Sequence, residues 1–353
     1  MSARLRPVLQ SLPGYVPGRT VPGAVKLASN EIPFPPLPSV IARVADAAAS
    51  MNRYPDNGSV AVQEVLADRL GVAAAQVVVG CGSVSLCTQL VQAAADAGDE
   101  ALYAWRSFEA YPIIAAVSGA SSVQVPLRDH VHDLDAMVAA ITGKTRVVFV
   151  CNPNNPTGTV VGAPALRDFL RAVPDDVVVA LDEAYREFVT DDDVPDGLSL
   201  LDAHPNLVVL RTFSKAYGLA GLRVGYAVAS DPAVAAALRQ TQVPFAVSTV
   251  AQAAALASLE PPAAAELRDR VAAVVAERAH VVAALHEIGY VVPATQANFV
   301  WLPLGDGATA FGEHCERQGV IVRPFAGHGV RVTIGTAQEN ARFIEAAGAY
   351  PAR

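Results

Sequence analysis

Residues 206–226 read NLVVLRTFSKAYGLAGLRVGY. The stretch opens on an uninterrupted apolar run, as a strand buried on both faces does, and turns polar at Ser214 and Lys215. Two earlier stretches repeat this design, VVFVCNPNNPTG at 147–158 and DVVVALDEAYREF at 176–188. Each apolar run ends in polar residues that have no role in a core. In an open α/β sheet, ligands bind beyond the carboxyl ends of the strands, so these tails are expected to meet in one crevice.

On the N-terminal side, QVVVGCG and EALYAW alternate with the helical patterns SVAVQEVLADRLG and SLCTQLVQAAADAG. This alternation is that of a parallel or mixed sheet covered by helices. After about residue 240 the pattern changes to long alanine-rich helix, followed by the short strands ANFVWLPL, GVIVRPF and GVRVTIGT. The first ~40 residues are rich in Pro and Gly and read as an extended arm rather than a helix. The expected fold is α/β. An arm at 1–35 packs with the small domain and a partner subunit, a large domain with a mostly parallel central sheet occupies 36–242, and a smaller α+β domain occupies 243–353.

Composition narrows the function. Of 353 residues, 52% are apolar and 17% charged, which excludes a disordered chain and points to extensive burial and to homo-oligomers. The net charge of −8, with no long basic run, argues against nucleic acid. No apolar stretch approaches the ~20 residues of a membrane span, and the N-terminus lacks a signal-peptide core, so a cytoplasmic protein is expected. The four cysteines and seven histidines show no metal-ligand spacing, so no metal is expected.

The strand ends offer Gly82, Ser83 and Ser85 after VVVGC, Asn155 in NPTG, Asp182 and Tyr185 in LDEAY, then Ser214, Lys215, Arg223 and Arg331. Together they suit a phosphorylated aromatic aldehyde. A lysine amine in a low-dielectric pocket near cations loses its proton readily enough to form a Schiff base. An aspartate ending a buried strand can hold a ring nitrogen protonated. GCGSVS at 80–85 would present N–H groups to a phosphate at a helix N-terminus. The same motif is also open to reading as a broken dinucleotide fingerprint, which leaves a nicotinamide oxidoreductase as an alternative.

SKAYGLAGLR, NNPTG, LDEAY and YPD, taken in order, resemble the fold type I pyridoxal-phosphate aminotransferases, and specifically their histidinol-phosphate branch. The resemblance runs from SLPGYVPG through ASNEIPF and ANFVW to VRVTIGT. It implies pyridoxal 5′-phosphate as cofactor, with Lys215 binding its aldehyde and then moving the substrate α-proton. Asp182 would pair with the ring nitrogen, Asn155 and Tyr185 with the phenolic oxygen, and Phe108 with the ring face. Gly82, Ser83, Ser214 and Arg223 would hold the phosphate, with Tyr54 reaching it from the other subunit of a homodimer.

The resemblance also implies amino acid and 2-oxo acid substrates, with Arg331 gripping an anionic tail. Within that branch GNGSDE and NENPF are common, whereas this chain reads GCGSVS and NEIPF. Val84, Ser85 and Ile32 make the neighbourhood more apolar, which resembles the aromatic (phenylalanine) aminotransferase subgroup. Ile32, Trp105 and Tyr15 are the expected apolar lining, with Asn30 and Arg323 as further substrate residues. The expected reaction is ping-pong transamination between phenylalanine- or tyrosine-type amino acids and 2-oxoglutarate. Histidinol-phosphate transamination, or both activities, stands as the alternative because either cation accepts a carboxylate or a phosphate.

Overall fold

The computed structural model describes residues 5–12, 14 and 18–351. After β1 (Val25–Lys26) come the strands of a large sheet: β2 (Val77–Gly80), β3 (Glu100–Trp105), β4 (Ser121–Pro126), β5 (Thr145–Cys151), β6 (Val178–Asp182), β7 (Leu207–Thr212) and β8 (Gly225–Ala229). Four more follow: β9 (Phe299–Gly305), β10 (Val320–Ile321), β11 (Arg323–Phe325) and β12 (His328–Thr333). The large sheet has the order β2-β8-β7-β6-β5-β3-β4, with β8 antiparallel to both neighbours and every other pair parallel. This is the mostly parallel α/β sheet that the apolar runs require.

Helices cover both faces because β5, β6 and β7 are apolar on both. On one face Leu86, Leu90, Tyr111 and Ile114 pack against Tyr103, Phe149 and Val208. On the other, Leu166, Phe169, Ala251 and Ala254 pack against Val148, Val150, Leu181 and Val209. A 27-residue helix, Pro261–Glu287, then leads to the antiparallel sheet β11-β12-β9. Val274, Val281 and Leu285 of that helix share a second core with Phe299, Phe311, Val330 and Phe343. Tyr185 and Ala216, from the large sheet's loops, are buried in this second core too.

The arm differs from the expected extended chain in one respect, a four-residue helix at Val8–Ser11. Pro7 presets its first turn, and Arg6 donates to the carbonyls of Ala116 and Val117 near the C-terminal end of helix Ala110–Ser118. Further on, β1 pairs in parallel with β10. The dinucleotide reading of GCGSVS finds no support in the topology. The strand before it, β2, lies at an edge and pairs only with β8, antiparallel, whereas a dinucleotide fold needs parallel neighbours there.

Among the described residues no helix is long and apolar enough to cross a membrane, and no group of His, Cys, Asp and Glu is placed to hold a metal ion. The four cysteines are free. Beneath the sheet's carboxyl edge, buried Arg211 donates through Nε and Nη2 to Glu183 Oε2 at 2.9 and 2.7 Å, and through Nη2 to Asp196 at 2.6 Å. Removing one member of a buried pair strands the other, so Arg211→Met is expected to cost roughly 3–5 kcal/mol. Urea unfolding at neutral pH measures it, and adding Glu183→Gln should restore most of the loss.

Candidate active site

The carboxyl ends of β5, β6 and β7 open into a cavity of about 520 Å³. Cys151 and Asp182, the last residues of β5 and β6, lie directly opposite each other, so the strand ends form its floor. Asp182 is 3% exposed. The Tyr111 hydroxyl donates to Oδ2 at 2.8 Å and the Ala184 N–H to Oδ1 at 3.2 Å. Burial pushes its carboxyl up to about 6, against the opposing pull of these hydrogen bonds. An acid so placed is short of a cation, and a protonated ring nitrogen supplies one.

At one end of the cavity the helix Ser83–Ala94 begins at Gly82, whose φ is 76°. A Cβ on Gly82 would lie 2.5 Å from Arg223 Nη2, and one on Gly225 would lie 2.6 Å from the Ser83 nitrogen. Glycine at both positions keeps open a niche between helix N–H groups and a guanidinium. Arg223, itself at φ 57°, donates to Ser214 Oγ at 3.4 Å and to the Ala220 carbonyl at 2.9 Å. Helix N–H groups, a serine hydroxyl and an arginine are the donors a phosphate takes.

Lys215 follows β7 and points into the same space, its Nζ donating to the Ser29 carbonyl at 3.2 Å. Burial, aided by Arg331 and Arg223, lowers its ammonium to about 7, so the amine is half neutral near physiological pH. Tyr185 and Asn155 stand nearby with defined roles as acceptors. The Tyr185 oxygen accepts from Asn30 Nδ2 at 2.9 Å, and Asn155 Oδ1 accepts from Arg331 Nη1 at 2.6 Å. Each bond leaves the other function, the phenol proton and the amide nitrogen, to donate elsewhere.

Asn30 owes its place to β12 and to Asn298. Its N–H donates to Thr333 Oγ1, the Thr333 hydroxyl donates back to Asn30 Oδ1, and Asn298 donates to its carbonyl. Its φ of 55° is one that asparagine tolerates. Arg323 and Arg331 are direct partners across β11 and β12, so both project from the same face of the small sheet. Arg331 Nη2 also donates to the Ala28 carbonyl at 2.7 Å. Phe108, Val84, Ile113, Ile114 and Val117 form an apolar wall.

The family model for aminotransferase class I and II matches residues 22–346. The chain belongs to that family. This aminotransferase is 57% identical to the aromatic amino acid aminotransferase of Mycobacteroides abscessus over 350 residues, covering 99% of this chain and all of that one. It is also 57% identical to the protein of the same name from Streptomyces coelicolor, covering 98% of this chain and 96% of that one. Among solved structures it resembles the histidinol-phosphate aminotransferase of Sinorhizobium meliloti in complex with pyridoxal-5′-phosphate, with TM-score 0.88, 28% identity and 99% and 97% coverage. A Thermus thermophilus aspartate aminotransferase shares the fold, with TM-score 0.83 and 22% identity over 98% of this chain and all of that one. The cofactor of the aminotransferase is pyridoxal 5′-phosphate.

Of the residues singled out in the sequence, Asn30, Ser83, Phe108, Asn155, Asp182, Tyr185, Ser214, Lys215, Arg223, Arg323 and Arg331 line the aminotransferase cavity, and Gly82 abuts it through Arg223. Others lie elsewhere. Ile32 packs with the second core, with its Cγ2 beside Gly218, and Trp105 sits under the Arg106 guanidinium at 4.3 Å. Most of the apolar wall comes from helix Ala110–Ser118, and Val84 and Phe108 complete it. Tyr54 is 82% exposed and stacked on Phe245. Tyr15 lies outside the described residues. Sequence reasoning missed Tyr111, Ile113, Ile114 and Val117, although the pattern YPIIAAV so soon after Phe108 was available as the signal.

Proposed function

We propose that the chain is an aromatic amino acid aminotransferase that moves an amino group between phenylalanine- or tyrosine-type amino acids and 2-oxoglutarate by a ping-pong mechanism. The observation that carries this reading is the apolar wall of Val84, Ile113, Ile114 and Val117 facing the cavity, where a flat side chain gains about 1.5–3 kcal/mol by burial. The names borne by the relatives above support it.

Pyridoxal 5′-phosphate, when bound, supplies an electron sink for the carbanion at the substrate α-carbon. The rest belongs to the chain. Gly82, Ser83, Ser214 and Arg223 hold the phosphate, Asp182 keeps the ring nitrogen protonated, and Phe108 covers the ring face. Asn155 and Tyr185 donate to the phenolic oxygen, each fixed from behind by Arg331 or Asn30. Lys215 Nζ would hold the cofactor through its aldehyde carbon and, once free, is placed to carry the substrate α-proton. Arg331 takes the substrate carboxylate through its planar fork. The exposed Tyr54, with Met51 and Val243 exposed beside it in sequence and at its partner Phe245, fits a homodimer in which Tyr54 reaches the partner subunit's cavity. A cytoplasmic location accords with this chemistry.

Histidinol phosphate is the second reading, favoured by the paired guanidiniums of Arg323 and Arg331. A comparison of kcat/KM for phenylalanine and histidinol phosphate, each with 2-oxoglutarate, decides between them. At least a tenfold preference for phenylalanine is expected, or about 1.4 kcal/mol of differential transition-state binding. A preference for histidinol phosphate would overturn the aromatic reading.

A further inference from the structure

The cavity holds a cation that a bound aromatic side chain would strip of water. Arg323 lines it close to the apolar wall, and its Nη2 is paired at 2.9 Å with Glu109 Oε2. Glu109 comes from far away in sequence and stands at the N-cap of helix Ala110–Ser118, the helix that supplies Ile113, Ile114 and Val117. A carboxylate at an N-cap commonly accepts the helix's own N–H groups. This one does not, and its hydrogen bond goes to Arg323.

The surroundings are rich in guanidinium groups. Arg106, Arg323 and Arg331 lie 5.5, 5.6 and 5.7 Å from the ring centre of Phe325. Arg331 is bonded to Asn155 and the Ala28 carbonyl, and Arg106 is stacked on Trp105. Glu109 is therefore the carboxylate that this cluster keeps next to the substrate space.

We propose that Glu109 is a specificity-determining positioning residue, an internal carboxylate that neutralises Arg323 for aromatic substrates and is exchanged for the distal carboxylate of a dicarboxylic one. The inference rests on the aromatic aminotransferase reading, since ping-pong transfer makes one cavity accept both partners in turn. With an aromatic substrate the Arg323–Glu109 pair stays closed and presents no bare charge to the ring. With a dicarboxylic substrate, one carboxylate replaces another on the same guanidinium fork. Arg323 remains paired throughout, which avoids leaving a half-buried guanidinium alone beneath the substrate.

The probes are two unreactive competitive ligands, glutarate and 3-phenylpropanoate, titrated into the pyridoxal-phosphate-loaded enzyme. In Glu109→Gln the dissociation constant of glutarate is expected to fall about tenfold, because no internal carboxylate competes for Arg323. That of 3-phenylpropanoate should rise several-fold, because its ring would take water from a guanidinium left without a carboxylate. KM for 2-oxoglutarate should fall with little change in its kcat. Glu109→Asp, which keeps the charge, should retain the wild-type ratio of the two constants. In an Arg323→Gln background, Glu109→Gln should leave that ratio unmoved.

Constants that move in the same direction, or a glutarate constant that does not change, would overturn the role of Glu109 while phenylalanine turnover persists. Wild-type enzyme that fails to transaminate phenylalanine would instead overturn the aromatic reading on which the proposal rests.

Discussion

Replacing Lys215 by alanine is expected to lower kcat for phenylalanine at least about 10³-fold, since a positioned proton carrier alone contributes 10²–10⁴-fold. The side chain is half-buried, it sits among Arg331 and Arg223, and its amine is drawn down to about 7. Below that value Nζ carries a proton and is no nucleophile; above it the amine is neutral and competent. Capture of pyridoxal 5′-phosphate by apoprotein should therefore rise about tenfold per pH unit up to about 7 and level off above it, not near the 10.5 of an ordinary lysine. Cofactor retained after gel filtration at a series of pH values measures this. Retention by the alanine variant with unchanged absorbance would remove Lys215 from the chemistry.

The second large effect is expected at Asp182. Asp182→Asn keeps the shape and an acceptor for the Tyr111 hydroxyl but removes the charge that holds a ring nitrogen protonated. Losing one preorganised electrostatic partner of this kind costs about 10²–10³-fold in kcat. The pH sign follows from the raised carboxyl. At about 6 it is ionised at neutral pH, and protonation on acidification removes the same charge. Relative to the asparagine variant, cofactor capture by the wild-type apoprotein should therefore weaken further below about pH 6, whereas in the loaded enzyme a protonated ring nitrogen beside Asp182 holds the carboxyl ionised to lower pH. Single-turnover rates with phenylalanine at about pH 7.5 measure the loss in the variant, and cofactor retained by each apoprotein from about pH 5 to 8 tests the acid limb.

Much of this is legible in the sequence. β5, β6 and β7 announce themselves as apolar runs because a parallel sheet buried on both faces tolerates little else, and their polar tails do meet at one cavity. The floor of the site follows from that periodicity alone. The walls do not. Ile32 and Trp105 are apolar and near motif residues in sequence, whereas the wall depends on which face helix Ala110–Ser118 turns inward. That face is set by Tyr111, which stacks on Phe149 and donates to Asp182, 38 and 71 residues further along the chain.

The composition change near residue 242 was equally visible, yet the change of core comes later. Val247, Ala251, Ala254, Leu259 and Ala263 still pack with the large sheet, and the second core gathers residues from Leu267 onward. Alanine-rich sequence is helical in either place, so composition records where the helices begin and tertiary packing decides which core they join. The pairing of Glu109 with Arg323 lay outside sequence reasoning for the same reason: across 214 residues, only the folded register of β11 brings the two together.

The stitching of Asn30 and Ala28 to β12 bears on the order in which the molecule comes into being at the ribosome. All seven strands of the large sheet have been synthesised by Ala229, and Lys215 and Asp182 with them. The residues that clasp the other side of the cavity, Asn298, Arg331 and Thr333, emerge 69 to 104 residues later and bind Ala28 and Asn30, made long before the sheet. A nascent chain can thus complete its sheet while its reactive amine still faces open solvent. The protein gains a closed chemical compartment only when its last strand binds the segment that follows its first.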